Sequence, residues 1–224
     1  MNLERQQVFE RIYSEHTWGG VSRSGPGSDP ERAGDYVHFV NKWLSTHPDV
    51  REVVEFGCGD WATMQLVNLG AGRSYRGLDI VPAVLEENRR RFGNSMIQFQ
   101  CCDFLSCETP AGDLLLVKDV LQHLSNNSVT HFLKNILTQY RYALITNDLK
   151  RYVERRIMGV WPIRRLLATT NVDIADGGSR PLRLDDRPFN LDAVARFRYP
   201  VVLQPAPHRV IYVKEVLVWK NPNG

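Results

Sequence analysis

The most informative segment of the chain reads Glu55-Phe56-Gly57-Cys58-Gly59-Asp60-Trp61. It ends a short β-rich run at 52–56 and opens a segment at 61–69 that we predict to be helical. Two glycines at such a junction allow a sharp turn and let a ligand approach the backbone closely. The first N–H groups of the following helix lack intrahelical partners and attract anions. The segment therefore predicts either a ligand-binding loop or a plain glycine turn between a strand and a helix.

This segment opens a long region in which β-rich runs alternate with helical ones. We predict strands at 52–56, 75–80, 96–100, 113–118 and 142–146, and helices at 61–69, 82–92 and 125–139, the last capped by Ser125. Strands that recur roughly every 20–25 residues between helices indicate βαβ units and a parallel sheet. Two more β-rich runs, 197–203 and 209–219, predict a hairpin at the sheet edge. The predicted fold class is α/β: a Rossmann-like doubly wound sheet, mostly parallel, with an antiparallel C-terminal hairpin.

The 224 residues are predicted to form a single domain. Its parts are N-terminal helices with a lid loop (1–50), the alternating core (51–147), an insertion (148–190) and the closing hairpin (191–224). In the first part, a Gly- and Ser-rich loop at 19–28 separates two predicted helices, the second of which begins at an Asp29 cap. In the insertion, the stretch 150–168 is predicted to be helical, with a break near Gly159 and Pro162.

The composition excludes several classes of protein. Hydrophobic residues make up 43% of the chain and charged residues 24%, which is ordinary for a globular protein and excludes a disordered or collagen-like chain. No apolar run approaches the roughly 20 residues that span a bilayer, and the first residues lack the apolar stretch of a signal peptide. We therefore expect a cytoplasmic protein with no membrane contact. The four cysteines form no CxxC pair, so we expect buried free thiols and no metal site.

The charge is small overall but unevenly distributed. A net charge of +3 does not require a nucleic-acid partner, although residues 150–165 contain six basic side chains and one acidic one. We expect this basic segment to be a solvated face or a lid; binding of an acidic partner is the alternative. No recognised nucleic-acid motif accompanies it, so a nucleic-acid partner is not expected. Trp161 and Ile163 within it indicate packing against another surface, which leaves a homodimer open.

Acidic residues follow successive predicted strands. Asp79 ends the second strand, Asp103 follows the third with Phe104 beside it, and Asp119 follows the fourth. Because the carboxyl ends of parallel strands form the ligand-binding edge of an open α/β sheet, we expect these acids and Glu55 to surround one ligand. Asp79 suits ribose hydroxyls, and Asp103 suits an adenine amino group with Phe104 against the ring. The alternative is a set of unrelated, solvated loop acids.

At these residues the sequence resembles the class I S-adenosylmethionine-dependent methyltransferases. The resemblance matches Glu55, Gly57 and Gly59 to the family's acid-x-Gly-x-Gly loop, Asp79 to its ribose-binding acid and Asp103 to its adenine-contacting acid. It implies S-adenosyl-L-methionine as cofactor and a small-molecule acceptor. The implied cofactor-binding set is Glu55, Gly57, Cys58, Gly59, Trp61, Asp79, Ile80, Cys102, Asp103, Phe104, Lys118, Asp119 and Val120.

One residue departs from the family pattern, and a second motif narrows the resemblance. Trp61 stands where many members have a third glycine, so we expect its ring to crowd or cover the methionine end of the pocket. Trp18-Gly19, Ser24–Ser28 and several motifs between 173 and 190 resemble a little-characterised bacterial subgroup that acts on small molecules or sugars.

Candidates for catalysis and acceptor binding lie outside this set. His123 and Asp148 are the candidate bases, with packing at a helix entrance and an exposed turn as the respective alternatives. Arg180 is a candidate for holding a carboxylate or phosphate, or else a loop-stapling arginine. Three polar residues of the same loop complete the candidate acceptor site: Asn171, Asp173 and Asn190.

Two other functions remain open from the sequence. Gly57, Gly59 and Ala62 also fit a dinucleotide fingerprint, which is typical of a nicotinamide-nucleotide-dependent oxidoreductase. The basic segment 150–165 leaves room for a methyltransferase that acts on a nucleic acid or a protein.

Overall fold

The computed structural model describes residues 2–155, 163–204 and 208–223, and they form one sheet flanked by helices. The strands are β1 (Glu52–Phe56), β2 (Ser74–Asp79), β3 (Ile97–Cys101), β4 (Leu114–Lys118), β5 (Tyr142–Arg155), β6 (Ile163–Leu166), β7 (Ala195–Val202) and β8 (His208–Lys220). Their order is β3-β2-β1-β4-β5-β8-β7, with β6 paired to β5 off this path. The first five strands of this order pair in parallel, whereas β8 and β7 run antiparallel. The predicted fold class is confirmed.

In the described ranges, four α-helices pack around the sheet: α1 (Leu3–Ser14), α2 (Gly34–Ser45), α3 (Pro82–Phe92) and α4 (Asn126–His131). Local sequence explains their starts. The Asn2 side chain accepts a hydrogen bond from the Arg5 N–H, and the Ser125 hydroxyl accepts one from the Ser128 N–H. Pro82 opens α3, where its fixed φ suits the first turn.

The two faces of the sheet build two apolar cores. Neighbouring residues of a strand point to opposite faces, so Leu116 packs on the α2 side and Leu115 on the other. Tyr36 and Leu44 of α2 are fully buried on the first face, and Phe132 is fully buried on the second. An apolar run such as that of β4 is buried on both faces, as expected of a central parallel strand.

The described residues of the stretch 150–168, which are 150–155 and 163–168, are not helical, so that prediction was wrong for them. β5 continues to Arg155 and pairs with β8 as far as His208, and β6 follows at Ile163–Leu166. The long pairing with β8 is a contact between segments far apart in sequence, and it overrides the local helical pattern. Gly159, Trp161 and Pro162 lie outside the described residues.

Three predicted helices are shorter or less regular than expected. Only a 3₁₀ turn, Met64–Leu66, occurs in 61–69, and 125–139 continues beyond α4 as π and 3₁₀ turns. Asp29 does not cap a long helix, because its carboxylate accepts the Val21 and Ser22 N–H groups at 2.8 Å and pairs with Arg32. Regular helix therefore begins only at Gly34.

Cysteine pairing also differs from the expectation. Cys102 and Cys107 form a disulfide, whereas Cys58 and Cys101 are free thiols as predicted. The described ranges contain no cluster of three or more His, Cys, Asp or Glu side chains suited to a metal ion. They also contain no helix of the length and hydropathy needed to cross a membrane.

Candidate functional site

The glycine segment forms a tight loop between β1 and β2. The N–H groups of Gly57 and Cys58 donate to the Leu78 carbonyl at 2.8 and 3.0 Å. Gly57 and Gly59 adopt φ of 67° and 53°, in the left-handed region that favours glycine. A Cβ on Gly57 would collide with Cγ2 of Val120. The loop therefore packs directly against the segment that follows β4.

Asp79 holds this loop in place from the end of β2. Its Oδ2 accepts the Gly59 N–H at 2.9 Å, and its Oδ1 accepts the Val81 N–H at 3.0 Å. The side-chain amide of Asn88 donates to the Gly59 carbonyl at 2.7 Å. Burial raises the pKa of Asp79. Each carboxylate oxygen keeps one lone-pair site, so Asp79 can accept a further hydrogen bond from a ligand.

Glu55 lies beneath the loop, as the second-to-last residue of β1. Its carboxyl is buried and accepts a hydrogen bond from the Tyr75 hydroxyl. Burial raises its pKa to about 8, because the charged form is poorly solvated there. At neutral pH Glu55 is therefore mainly protonated, and it adds no negative charge to the site.

Asp103 and Phe104 form the wall beyond β3. Arg5 of α1 donates to Oδ2 of Asp103 at 2.7 Å, and the Ser106 hydroxyl donates to the same oxygen at 2.8 Å. The Phe104 ring stacks on Phe56 with centroids 4.7 Å apart and planes 9° from parallel. This wall thus combines a buried carboxylate with a flat apolar surface.

Charged side chains at the end of β4 form a chain of buried ion pairs. Lys118 donates to Asp119 at 2.8 Å, and Lys214 of β8 donates to the other oxygen of Asp119 at 2.6 Å and to Asp148 at 2.7 Å. Arg151 donates to the second oxygen of Asp148 at 2.7 Å. The two ammonium groups hold the pKa of Asp119 well below its usual range.

The loop at 18–28 is docked on the glycine loop. The Asp60 carboxylate accepts hydrogen bonds at 2.9 Å from the hydroxyls of Ser22 and Ser24 and from the Arg23 N–H. The Tyr13 hydroxyl lies 3.0 Å from the Ser24 hydroxyl, which ties α1 to the same loop. The loop predicted as a lid or a ligand contact therefore closes one side of the site.

His123 lies on the cavity wall, and both of its ring nitrogens contact protein groups: the Gln122 side-chain amide nitrogen lies 3.4 Å from Nε2. Its Nδ1 lies 2.7 Å from the Gly178 carbonyl, so Nδ1 carries the hydrogen and Nε2 is the basic nitrogen. The Trp18 ring packs against the imidazole, with centroids 4.9 Å apart. Burial lowers the pKa of His123 to about 4, and the ring is neutral at pH 7.

These elements enclose one cavity at the carboxyl edge of the parallel strands. It holds about 850 Å³ of space that no atom fills, part of it continuous with solvent. Its walls include most of the predicted residues: Glu55, Gly57, Cys58, Asp79, Ile80, Cys102, Asp103, Phe104, Lys118, Asp119, Val120 and His123. The cavity lies where the strand order reverses between β2-β1 and β4-β5, the usual ligand position in open α/β sheets.

Two predicted cofactor residues do not line this cavity. Trp61 points into the core, where its ring contacts Tyr75, Phe92 and Phe99 at centroid distances of 5.5, 4.8 and 5.5 Å. The expectation that it crowds or covers the pocket does not hold, because its ring packs among these aromatic side chains of the core. Gly59 contributes only its backbone, through the hydrogen bonds to Asp79 and Asn88.

The predicted acceptor residues lie away from the cavity and hold loops together. Asn171 bonds the backbone of Arg183 and Arg187, and Asp173 accepts the N–H of Asn126 at the start of α4. Asn190 sits in a turn, with φ of 50° and its N–H on the Asp186 carbonyl.

Arg180 and Asp148 also lie behind the cavity wall. The buried guanidinium of Arg180 donates to the Leu121 carbonyl at 3.1 Å and to the Asn126 side chain at 2.9 Å, as expected of a loop-stapling arginine. Burial lowers its pKa to about 10. Asp148 is buried between Lys214 and Arg151 rather than in an exposed turn.

The sequence alone missed the contribution of α1. Arg5, Phe9 and Tyr13 are four residues apart, lie on one helix face and line the cavity. Trp18, Ser24, Ser28 and Asp60 add further wall from the 18–28 loop and the glycine loop. The apolar spacing of Phe9 and Tyr13 indicates a buried face, but not the surface against which it packs.

Comparison with solved structures identifies the fold. The mitomycin 7-O-methyltransferase MmcR matches with a TM-score of 0.55 and 16% identity over 95% of this chain. The chain has the class I methyltransferase fold. It spans 57% of the length of MmcR.

Other methyltransferase structures are similar to smaller degrees. The methyltransferase domain of bacterial CtHen1 gives a TM-score of 0.45 and 18% identity over 52% of this chain and 66% of its own. The N-methyltransferase NodS from Bradyrhizobium japonicum, in complex with S-adenosyl-L-homocysteine, gives a TM-score of 0.47 and 15% identity. The match covers 80% of this chain and 86% of the NodS chain. Neither a protein-family model nor a curated protein matches the chain.

Proposed function

We propose that this chain is an S-adenosyl-L-methionine-dependent methyltransferase that acts on a small-molecule acceptor. The observation that carries the proposal is the cavity at the carboxyl edge of a class I methyltransferase sheet. Its walls combine a glycine loop, a buried acid at the end of β2 and an acid followed by an aromatic ring after β3. A nucleoside attached to a charged amino acid needs this combination of apolar walls and hydrogen-bonding groups.

The residues present fit such a cofactor. Asp79 keeps lone-pair sites for ribose hydroxyls, and Ile80 and Phe104 provide apolar walls for adenine. Within the part of the chain that the structure describes, Oδ1 of Asp103 accepts only the Leu105 N–H, at 3.2 Å, and so has capacity for the adenine amino group. Oδ2 of Asp103 is already occupied by Arg5 and Ser106.

The main task of the protein is to hold the acceptor in line with the methyl group. S-adenosylmethionine supplies a methyl group on a positively charged sulfur, and the acceptor's lone pair forms the new bond as the carbon–sulfur bond breaks. Fixing the two reactants in this geometry lowers the activation free energy by several kcal/mol. The docked 18–28 loop and the α1 face, both of which line the cavity, would restrict the acceptor and exclude water.

A hydroxyl or amine acceptor must also lose a proton, and His123 is the residue suited to receive its hydrogen bond. Nε2 of the neutral ring is its basic nitrogen, and His123 lines the cavity. The Gln122 amide nitrogen, 3.4 Å from Nε2, makes a long contact that a bound acceptor would replace. A pKa of about 4 makes the ring a weak base, so its proposed role is to orient the acceptor's lone pair. Asp148 is unsuited to this role, because both its oxygens bind cations behind the wall.

Calorimetry with S-adenosylhomocysteine tests the proposal. We expect the full chain to bind it, and Asp79→Ala to weaken binding by about tenfold or more, which corresponds to 1.4 kcal/mol. Asp192→Asn is the matched control, since Asp192 is exposed and lies outside the cavity. Absence of binding to the wild-type chain at high micromolar ligand would refute the proposal, and an unchanged affinity of Asp79→Ala would refute the ribose assignment.

The same titrations separate the alternatives. A nicotinamide-dependent oxidoreductase would bind reduced nicotinamide cofactor in a fluorescence titration and ignore S-adenosylhomocysteine. A methyltransferase of nucleic acids would bind RNA or DNA with an affinity that falls steeply as salt rises.

A further inference from the structure

Three hydroxyl groups are buried next to the ion pairs of β4 without a partner. They belong to Tyr36, Thr146 and Tyr199, which are at most 3% exposed. Within the described part of the chain, none of the three oxygens makes a hydrogen bond. An unsatisfied buried hydroxyl is costly, and nearly all such groups in folded proteins find a partner. Three of them in one region therefore point to a ligand.

The packing of α2 on β7 brings the two tyrosines together. Phe39 of α2 stacks on Phe197 of β7, with centroids 4.8 Å apart and planes 8° from parallel. Tyr36 lies one turn before Phe39, and Tyr199 lies on the same face of β7 as Phe197, with the two rings 5.7 Å apart. Tyr199 is also directly opposite Lys214 in the β7–β8 pairing.

Two buried lysines adjoin these hydroxyls. The Lys118 ammonium lies 5.6 Å from the centre of the Tyr36 ring, and Lys118 is the register partner of Thr146 in the β4–β5 pairing. Among the residues that the structure describes, Lys214 makes hydrogen bonds to Asp119 and Asp148 only, although an ammonium carries three N–H groups. The cluster thus offers three hydroxyls and one N–H without a partner among the described residues.

The cluster carries an excess of positive charge. Lys118, Lys214 and Arg151 face two carboxylates, those of Asp119 and Asp148, in one chain of contacts of 2.6 to 2.8 Å. Glu55, the other buried acid that interacts with Lys118, is mainly protonated, because burial raises its pKa to about 8. One positive charge is therefore left over in a buried environment, where it strongly favours an anion. Water would satisfy hydroxyls there but would leave this charge unbalanced.

The cluster borders the main cavity. The 3₁₀ turn Pro26–Ser28 covers it, since a Cβ on Gly27 would lie 3.0 Å from Cε of Lys214. Lys118 donates to the Gly27 carbonyl at 3.1 Å. Lys118, Asp119 and Ser28 belong at the same time to the wall of the cavity. A molecule in the cavity can therefore extend a group into the cluster when this turn shifts.

We propose that this cluster is a carboxylate-binding subsite and that the methyl acceptor is a small molecule bearing a carboxylate. The identification of the ligand as the acceptor rests on the proposed function; the anion site itself does not. One carboxylate balances the single excess charge, and its two oxygens have four lone-pair sites for the three hydroxyls and the Lys214 N–H. A phosphate dianion would exceed the available charge.

Benzoate and its uncharged counterpart benzamide test this site, each titrated into the full chain by calorimetry with and without S-adenosylhomocysteine. We expect benzoate to bind at least about tenfold more tightly than benzamide. The double variant Tyr36→Phe/Tyr199→Phe should lose about fivefold or more of the benzoate affinity. Its affinity for S-adenosylhomocysteine should be unchanged. Tyr152→Phe, on β5 outside the cluster, is the control.

Folding of the variants is checked by thermal unfolding without ligand. Loss of an unpartnered hydroxyl should leave the midpoint unchanged or raise it. Equal binding of benzoate and benzamide, or benzoate binding that the double variant retains in full, would overturn the subsite. Selective, tyrosine-dependent benzoate binding by a chain that fails to bind S-adenosylhomocysteine would keep the anion site and overturn the proposed function.

Discussion

The guanidinium of Arg5 bridges the Asp103 carboxylate and the Asp176 carboxylate, at 2.7 Å from each. Asp103 lies on the cavity wall after β3, and Asp176 accepts the Ser125 N–H at the start of α4. One side chain of α1 thus links the cavity wall to the loop that follows β6. Because Asp103 is only 2% exposed, an opposite charge at hydrogen-bond distance offsets the cost of its burial.

We expect Arg5→Ala to destabilise the protein by about 1–3 kcal/mol, since it leaves a buried carboxylate with hydroxyl and N–H partners only. Amide exchange in α1 should accelerate at the same time, because the helix loses its tie to the wall. Urea unfolding and hydrogen exchange measure the two effects. Arg11→Ala is the control, as Arg11 is an exposed residue of the same helix. Equal effects of the two substitutions would contradict a role for the bridge.

The depressed pKa of His123 predicts a loss of stability in acid. Between its ordinary pKa of 6.5 and the folded value of about 4, the unfolded chain binds a proton that the folded chain does not. The neutral ring therefore makes its full contribution to the unfolding free energy above pH 6.5. This contribution decreases as the pH falls and is smaller by about 2 kcal/mol at pH 5.

Replacing this imidazole should remove that dependence. When the pH is lowered from 7 to 5, the unfolding free energy of His123→Gln should decrease by about 2 kcal/mol less than that of the wild-type chain. Urea unfolding at both pH values measures the difference, and His131→Gln, exposed on α4, is the control. A wild-type slope that survives in His123→Gln would show that another group is responsible.

The parallel part of the fold was predictable because its pattern is local. Apolar runs such as Leu114–Val117 must be buried on both faces, and an acid after each strand comes to the same edge of a parallel sheet. The strand β1 begins and ends at the predicted residues, 52 and 56. Most residues of the implied cofactor set consequently line one cavity.

The rest depends on contacts between segments far apart in sequence. The basic residues after 150 have no apolar alternation that specifies a strand, and only pairing with β8 extends β5 to Arg155. Arg5 and Asp103 are 98 residues apart, so no spacing rule links them. Likewise, Asn171 and Arg180 have the side chains of ligand-binding residues. Asn171 instead bonds the backbone of the Arg183 and Arg187 loop, and Arg180 bonds the Leu121 carbonyl and the Asn126 side chain.

The raised pKa of Glu55 predicts the opposite pH dependence from His123. The unfolded chain releases the Glu55 proton near pH 4.5, whereas the folded chain keeps it until about pH 8. The protonated carboxyl therefore makes its full contribution to the unfolding free energy below pH 4.5, and this contribution decreases as the pH rises to 8.

Glu55→Gln keeps the shape of the side chain and cannot ionise. Its unfolding free energy relative to the wild-type chain should rise by about 3 kcal/mol between pH 5 and pH 8. Unfolding in urea at the two pH values tests this, with Glu52→Gln, exposed on the same strand, as the control. A constant difference between variant and wild type across this range would show that Glu55 is ionised in the folded protein.

The contact between the glycine loop and the 18–28 loop provides a steric test. Gly59 has a φ of 53°, and a Cβ there would collide with Oγ of Ser24 and lie 2.8 Å from Oη of Tyr13. Gly19 has a φ of 67° and no atom within 4 Å of its Cβ position. Both Gly→Ala changes incur the cost of a left-handed conformation, about 1–2 kcal/mol, but only the change at Gly59 creates a clash.

Gly59→Ala should therefore destabilise the chain more than Gly19→Ala and accelerate amide exchange at 22–24, where the Asp60 hydrogen bonds would break. Adding Ser24→Gly creates space for the new methyl group. The double variant should be more stable than the sum of the single changes predicts, by about 1 kcal/mol, because neighbouring residues couple. Urea unfolding of the four chains gives this coupling free energy. A value of zero would mean that the two loops do not press against each other in solution, and that α1 and the 18–28 loop are not a fixed wall of the cavity.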